Sequence, residues 1–288
     1  MTRNILAQSN VEIARATAAS GALLGFDYDG TLAPMTDDPF TNGLRPETVE
    51  LLRSLASTAP VAVITGRSVH DVTTRLHGIS FTAVVGNHGA EPSRFAKRAS
   101  KEVAAWMPVL QQTVKSLPGV EIENKGVSVS VHYWNARHPE EALAAIDALV
   151  PSLSHTVEVM QGTGLVNIIP KGAPNKGDAL KLLMTRQGIA SGLFVGDELT
   201  DETAFRMLAR GRGVGIRVGR SKGTAAGYHI ASQLDMDALL TELLIGRTRP
   251  PRHRSRAASA EATAHGTAEA PELRGGGARE AAGERGHG

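Results

Sequence analysis

Cysteine is absent from the 288 residues, which excludes a disulfide framework and any thiolate metal site and fits a reducing compartment. Aromatic residues make up only 4% while glycine numbers 31, so the core is expected to rely on close helix-to-sheet packing more than on large rings. No run approaches the ~20 apolar residues that span a bilayer. Residues 1–20 carry Arg3, Glu12 and Arg15 and lack the apolar stretch of a secretory leader. These absences predict a soluble cytoplasmic protein with no membrane partner. A large charge excess is missing too. Residues 247–288 hold eight Arg, no Lys and five Glu, a tail of +3, which leaves the rest at −1 of the chain's +2. The basicity therefore belongs to the tail and gives no reason to expect a nucleic-acid partner. Beyond residue 246 the only large apolar side chain is Leu273, too little to offset the entropy of ordering, so this tail is expected to be disordered.

What is present is a globular composition, 41% hydrophobic, enough for one large domain or two modest ones. Residues 1–20 read as a helix or a loose lead-in. Apolar runs at 22–27, 61–64 and 81–85 read as buried strands, separated by amphipathic helices at 45–57 and 68–76. Strand, loop and helix in repetition predict a Rossmann-like, doubly wound parallel α/β sheet. The pattern then becomes helix, strand, strand, twice over: a helix at 100–117, a hairpin across Lys125-Gly126, a helix at 138–150, and a hairpin from 156–160 to 165–169. That is an antiparallel α+β module. A helix at 177–186, a strand at 193–195, a helix from 203, a strand at 214–218 and a helix at 235–244 resume the first pattern. The expected organisation is a first core segment at 1–99, an inserted α+β cap at 100–172, a second core segment at 173–246, and the tail at 247–288.

Residues 25–34, Gly-Phe-Asp-Tyr-Asp-Gly-Thr-Leu-Ala-Pro, organise the chemistry. In an open α/β sheet ligands bind at the carboxyl ends of strands, and the first strand delivers Asp27 and Asp29 there. A period of two puts both carboxylates on one side and Tyr28 on the other. Thr65 follows the second strand, Asp197 and Asp201 follow the strand at 193–195, and Lys176 precedes a helix. Carboxylates alone repel one another; a hard divalent cation such as Mg²⁺ resolves the conflict with oxygen ligands, waters and a substrate phosphate. A hydroxyl and an ammonium then suit the remaining phosphoryl oxygens. The plainer alternatives are an acidic Asx-type turn at 27–29, a turn hydroxyl at Thr65 and a solvated helix-start lysine at Lys176.

Taken together, Asp27-Tyr-Asp29-Gly-Thr-Leu, Thr65, Lys176 and Gly196-Asp197-Glu-x-x-Asp201 resemble the four motifs of the haloacid dehalogenase-like phosphohydrolases, across residues 20–246. The resemblance implies that Asp27 attacks phosphorus to give an aspartyl-phosphate. It also implies that Asp29 protonates the leaving alcohol and later activates water, and that Lys176 offsets charge. Mg²⁺ would be held by Asp27, the carbonyl of Asp29 and Asp197, with Asp201 at or beside the ion.

Further matches point to the trehalose-6-phosphate phosphatases: Gly66-Arg67, Gly86-Asn-His88-Gly-Ala-Glu91, Glu123-Asn-Lys125, Val131-His132-Tyr133 and Pro170-Lys-Gly172 leading into Lys176-Gly177. This resemblance implies phosphate and sugar contacts from Thr65, Gly66, Arg67, His88, Glu123, Lys125 and His132, and a small-molecule sugar phosphate as partner of a monomeric enzyme. The chain departs from the family at Trp134, Thr163, Asn167 and Ile169, where basic or acidic residues are usual. Hydrolysis of trehalose 6-phosphate is the leading expectation. Competing readings are a phosphatase of sucrose phosphate, a mannosyl phosphoglycerate or a trehalose-like metabolite, and a catalytically silent sugar-phosphate sensor.

Overall fold

The computed structural model describes residues 2–36, 41–153, 157–162 and 164–248. Thr163 and the tail from 249 on, with the expectations placed on them, lie outside the described residues. Two sheets make up the described chain.

The first sheet has seven parallel strands. In chain order they are β1 (Arg3–Asn4), β2 (Leu23–Phe26), β3 (Val61–Ile64), β4 (Ala83–Val85), and then β9 (Gly192–Gly196), β10 (Gly213–Val218) and β11 (Tyr228–Ile230), lying across the sheet as β1-β11-β10-β9-β2-β3-β4. The central strands are apolar on both faces because helices cover both. On one side Leu24, Phe26, Val61, Val63, Leu193 and Val195 pack with α1 (Val11–Ala19), α2 (Pro46–Thr58) and α8 (Met236–Thr248). On the other, Leu23, Ala62, Ile64 and Phe194 meet α6 (Lys176–Arg186) and α7 (Glu202–Leu208). Alternate residues of one strand thus belong to different clusters, as a period of two requires. From β2 the chain steps outward through β3 and β4, and later returns to β2's other side with β9. The strand order therefore reverses between β2 and β9, which opens a crevice at their carboxyl ends.

The second sheet is antiparallel: β5 (Glu121–Asn124), β6 (Val129–His132), β8 (Leu165–Pro170) and β7 (Val157–Gly162) in that order. One face, with Val129, Val131, Val166 and Ile168, packs under α4 (Arg94–Val114) and α5 (Pro139–Leu153). The other presents the cross-strand row Glu123, Ser130 and Asn167, with His132 beside it. This separation of faces gives the cap an apolar roof and a polar underside.

Several expected boundaries shift. The lead-in at 1–20 contributes the edge strand β1 as well as a helix, and β11, which lies between β1 and β10, was not anticipated; both are short and lack a hydrophobic run. The helix expected from residue 100 starts at Arg94, because the Ser93 hydroxyl accepts the Ala96 amide at 3.2 Å and caps it there. Among the described residues no helix is long and apolar enough to cross a membrane.

Candidate active site at the strand carboxyl ends

β2 ends at Phe26, and Asp27 is the next residue, its amide donating to the Val195 carbonyl of β9 at 2.9 Å. That bond extends the sheet by one position and fixes Asp27 at the crevice. Gly30 turns the chain at φ +70°, and a Cβ there would lie 2.3 Å from Asp197 Oδ2, so only glycine lets the first motif approach the loop after β9. Thr31 Oγ1 donates to Asp197 Oδ1 at 2.9 Å across that approach. Arg217, on β10, donates to the Asp197 carbonyl and, at 3.4 Å, to Glu202 Oε1, tying down the loop from the far side.

Lys176 is the first residue of α6, held there by a capping box: Asn175 Oδ1 accepts the Asp178 amide at 3.0 Å, and Asp178 Oδ2 accepts the Asn175 amide at 3.2 Å. Its ammonium is buried, 1% exposed, 2.9 Å from Asp27 Oδ2 and 2.7 Å from Asp201 Oδ1. A solvated helix-start lysine is thereby excluded. Asp201 Oδ2 also accepts the Glu198 amide at 2.8 Å, so both of its oxygens are engaged.

Asp27, Asp197 and Asp201 offer ligand oxygens within 4.8 Å of one another. Burial raises the Asp27 pKa well above the ordinary carboxylate range; Lys176 opposes this, and Asp201, Asp197 and Glu198 add to it. Asp197 is pushed up to about 7 by burial and then by Asp201 and Glu198. Lys176 is correspondingly held protonated: burial opposes its charge, but Asp201 and Asp27 raise its pKa. One ammonium among these carboxylates leaves negative charge uncompensated in a poorly solvated place. An all-oxygen donor set with surplus negative charge fits a hard divalent cation.

Thr65, directly after β3, is fully buried, and its Oγ1 accepts the Arg67 amide at 3.2 Å, which leaves its own proton to donate. A Cβ on Gly66 would lie 2.5 Å from the His88 ring, so the glycine makes room for that imidazole. Burial, then Lys176 and Lys125, holds the His88 pKa well below its usual value, and the ring is neutral. His88 therefore senses one lysine of the core and one of the cap. Arg67 does not stand open as a phosphate ligand would: its guanidinium grips Asp29, Nε to Oδ2 and Nη2 to Oδ1, both at 2.7 Å.

The cap residues cluster beside this site. His132 Nε2 lies 3.0 Å and Lys125 Nζ 3.6 Å from the same Glu123 Oε2. Burial opposes ionisation of Glu123, but the hydrogen bond from His132 and the charges of Lys125 and Arg67 hold its pKa below the normal value. The cap hairpin is fastened to the core through Asn87, whose Nδ2 donates to the Lys125 carbonyl at 3.2 Å while its Oδ1 accepts from Ser128 Oγ at 2.8 Å. At the positions of departure, Asn167 Oδ1 accepts from Ser130 Oγ at 2.5 Å, Ile169 is buried, and Trp134 lies against His132 with ring centroids 4.4 Å apart.

The structure thus assembles Asp27, Asp197, Asp201, Lys176 and Thr65 around the crevice, Gly66 against His88, and Glu123, Lys125 and His132 as a separate cap cluster. Sequence reading missed Asn42, Asp71, Arg75, Asn87 and Arg217. The spacing Arg67-x-x-x-Asp71-x-x-x-Arg75 was a usable signal, because residues four apart on a helix face one another.

The chain is similar to known proteins in sequence and in fold. The sequence profile of the trehalose-phosphatase family matches residues 25–234. A probable trehalose-phosphate phosphatase of rice is 31% identical over 81% of this chain and 68% of its own length. Among solved structures, the C-terminal domain of the trehalose-6-phosphate phosphatase of C. albicans superposes with a TM-score of 0.69 at 23% identity, over 85% of this chain and 99% of that one. A sugar phosphatase of haloacid dehalogenase subclass IIB does so at 0.53 and 19% identity, over 78% of this chain and 99% of that one. At these identities the two structures attest the fold.

Proposed function

The chain belongs to the trehalose-phosphatase family and is a phosphatase, and from that premise we propose that it hydrolyses trehalose 6-phosphate to trehalose and phosphate through Asp27, with Mg²⁺ as cofactor. The observation that carries the reading is the buried Lys176 between Asp27 and Asp201, with Asp197 adjacent, at the point where the strand order reverses. Asp27 and Asp197, with the carbonyl of Asp29, would hold the ion, and Asp201 would hold Lys176 beside it. When bound, Mg²⁺ supplies positive charge against the phosphoryl oxygens and keeps Asp27 ionised.

A carboxylate oxygen of Asp27 forms the new bond to phosphorus as the bond to the sugar oxygen breaks, and Asp29 gives that oxygen its proton. Asp29 then takes a proton from water. The resulting hydroxide attacks phosphorus, and the bond to Asp27 breaks to release phosphate. Splitting one difficult displacement into two is the gain of a covalent intermediate. Lys176 and the Thr65 hydroxyl face the charge that gathers on the phosphoryl oxygens. Glu123, Lys125 and His132 offer charged hydrogen-bonding groups to sugar hydroxyls, and the neutral His88, which feels the charges of both Lys176 and Lys125, adds no charge of its own.

Asn167, engaged by Ser130, and the buried Ile169 give the polar face of the cap fewer charges and favour a second reading, in which the sugar differs from trehalose. Phosphate release across a panel of trehalose 6-phosphate, sucrose 6-phosphate, glucose 6-phosphate and p-nitrophenyl phosphate separates the two. The leading reading expects kcat/KM for trehalose 6-phosphate to exceed every other by at least about tenfold, about 1.4 kcal/mol of discrimination. Equal rates on all four would refute it, and a preference for another sugar phosphate would establish the second reading.

A further inference from the structure

Asp29 sits in a closed ring of side chains that the phosphatase chemistry does not itself require. Its Oδ1 accepts from Arg67 Nη2 and from Asn42 Nδ2, both at 2.7 Å, and its Oδ2 accepts from Arg67 Nε at 2.7 Å. Arg67 Nη1 continues to Asp71 Oδ2 at 2.7 Å, and Asp71 Oδ1 accepts from Arg75 Nε and Nη2 at 3.1 and 3.0 Å. Arg75 Nη1 returns to the carbonyl of Asn42 at 2.7 Å, which closes the circuit. Two segments meet in it: the connection from β2 to α2, which carries both Asp29 and Asn42, and α3 (Val69–Arg75) with its approach.

The ring is built rather than accidental. Asn42 is buried, 3% exposed, and its amide orientation is fixed by chemistry, since turning Oδ1 toward a carboxylate would oppose two acceptors. Ser68 caps α3 through the Asp71 amide at 3.2 Å, which sets the helix phase that brings Asp71 under Arg67 and Arg75 under Asp71. A bidentate guanidinium fixes the plane of a carboxylate as well as its position. With two donors on Oδ1 and one on Oδ2, the remaining in-plane lone pair belongs to Oδ2.

We propose that Asn42, Asp71 and Arg75 are positioning residues for Asp29, acting through Arg67 and directly through Asn42 to fix the rotation of its carboxyl group so that Oδ2 is the atom that exchanges the proton with the leaving alcohol and with water. The inference rests on the reading of Asp29 as the acid and base. Asp71, which touches neither the crevice carboxylates nor Lys176 among the described residues, is the informative member. A misplacement of about 1 Å in a catalytic group can cost about 100-fold.

The test compares two leaving groups. A sugar alcohol must be protonated as it departs, whereas p-nitrophenolate leaves without help. The first-turnover rate of the full-length enzyme is measured with its best sugar phosphate and with p-nitrophenyl phosphate, for the wild type, Asp29→Asn, Asp71→Asn, Asp71→Glu and Arg75→Lys, with unfolding midpoints recorded for each. Asp71→Asn should lower the sugar-phosphate rate roughly 10- to 100-fold while changing the p-nitrophenyl phosphate rate less than about threefold and KM little, and Asp71→Glu should restore part of the loss. Equal loss on both substrates, or none on either, would overturn the proposal. Asp29→Asn separates the two levels: if it shows no difference between the leaving groups, the acid role fails; if it does and Asp71→Asn does not, the ring alone fails.

Discussion

Asp197 carries the most direct physical signature of what this site lacks by itself. Burial and its neighbours push its pKa up to about 7, against 3.8 for the free group, and Asp27 shifts the same way. In the metal-free protein the folded site therefore binds protons that the unfolded chain does not, from about pH 4 to about pH 7. The unfolded state binds fewer protons across that window, so the contribution of these groups to stability falls as pH rises through it. A divalent cation competes with those protons, and its effect grows as they leave. Mg²⁺ should raise the thermal unfolding midpoint more at about pH 7.5 than at about pH 5.5. A shift that is equal at the two values, or larger at the lower one, would contradict this assignment of the surplus charge. At the residue scale the sequence was most legible here. Asp27, Asp29, Thr65, Asp197 and Asp201 each follow a core strand closely, so strand recognition alone delivers them to one crevice. The Asn42 partner of Asp29 was not legible in the same way, because it lies 13 residues further along the connection to α2, at no periodic spacing from the motif.

At the scale of elements, caps and loop anchors place the chemistry. Lys176 is the first residue of α6, so the capping box of Asn175 and Asp178 decides where its side chain starts. Asn175→Ala removes one of the two capping bonds and should cost about 1 kcal/mol of stability in urea unfolding. Turnover should fall by less than about tenfold, because two carboxylates still hold the ammonium; an unchanged stability would show that the box does not set the helix start. The same logic explains the expected helix at 100–117 that begins instead at Arg94. Arg94, Lys97 and Arg98 obscure the short apolar face of Phe95, Ala96 and Ala99, and the hydroxyl of Ser93 marks the true start. β1 and β11 were lost for a related reason. Arg3–Asn4 and Tyr228–Ile230 are strands through pairing with distant neighbours, Arg3 opposite Tyr228 and Tyr228 opposite Ile216, and such pairing leaves no local pattern.

Over the whole molecule, two sheets divide the work. The parallel sheet fixes Asp27 beside Lys176 at the reversal of its strand order, and the antiparallel sheet presents the polar row Glu123, Ser130 and Asn167 on the face away from α4 and α5. Their separation was legible because the strand–helix alternation changes to helix–strand–strand between the second and third motifs. The fastening was not: Asn87 joins the two through the carbonyl of Lys125 and the hydroxyl of Ser128, a contact between a turn and a hairpin far apart in sequence. Under the proposed function, a sugar phosphate engaged by the cap hands its phosphoryl group to one atom of the core. Acid quench of the enzyme during turnover of trehalose 6-phosphate with Mg²⁺, followed by borohydride reduction and peptide mapping, tests that transfer. An acyl phosphate is reduced to the alcohol, so homoserine is expected at position 27 and should disappear when substrate is omitted. Reduction at another carboxylate, or steady turnover with Asp27 unmodified throughout, would contradict the account.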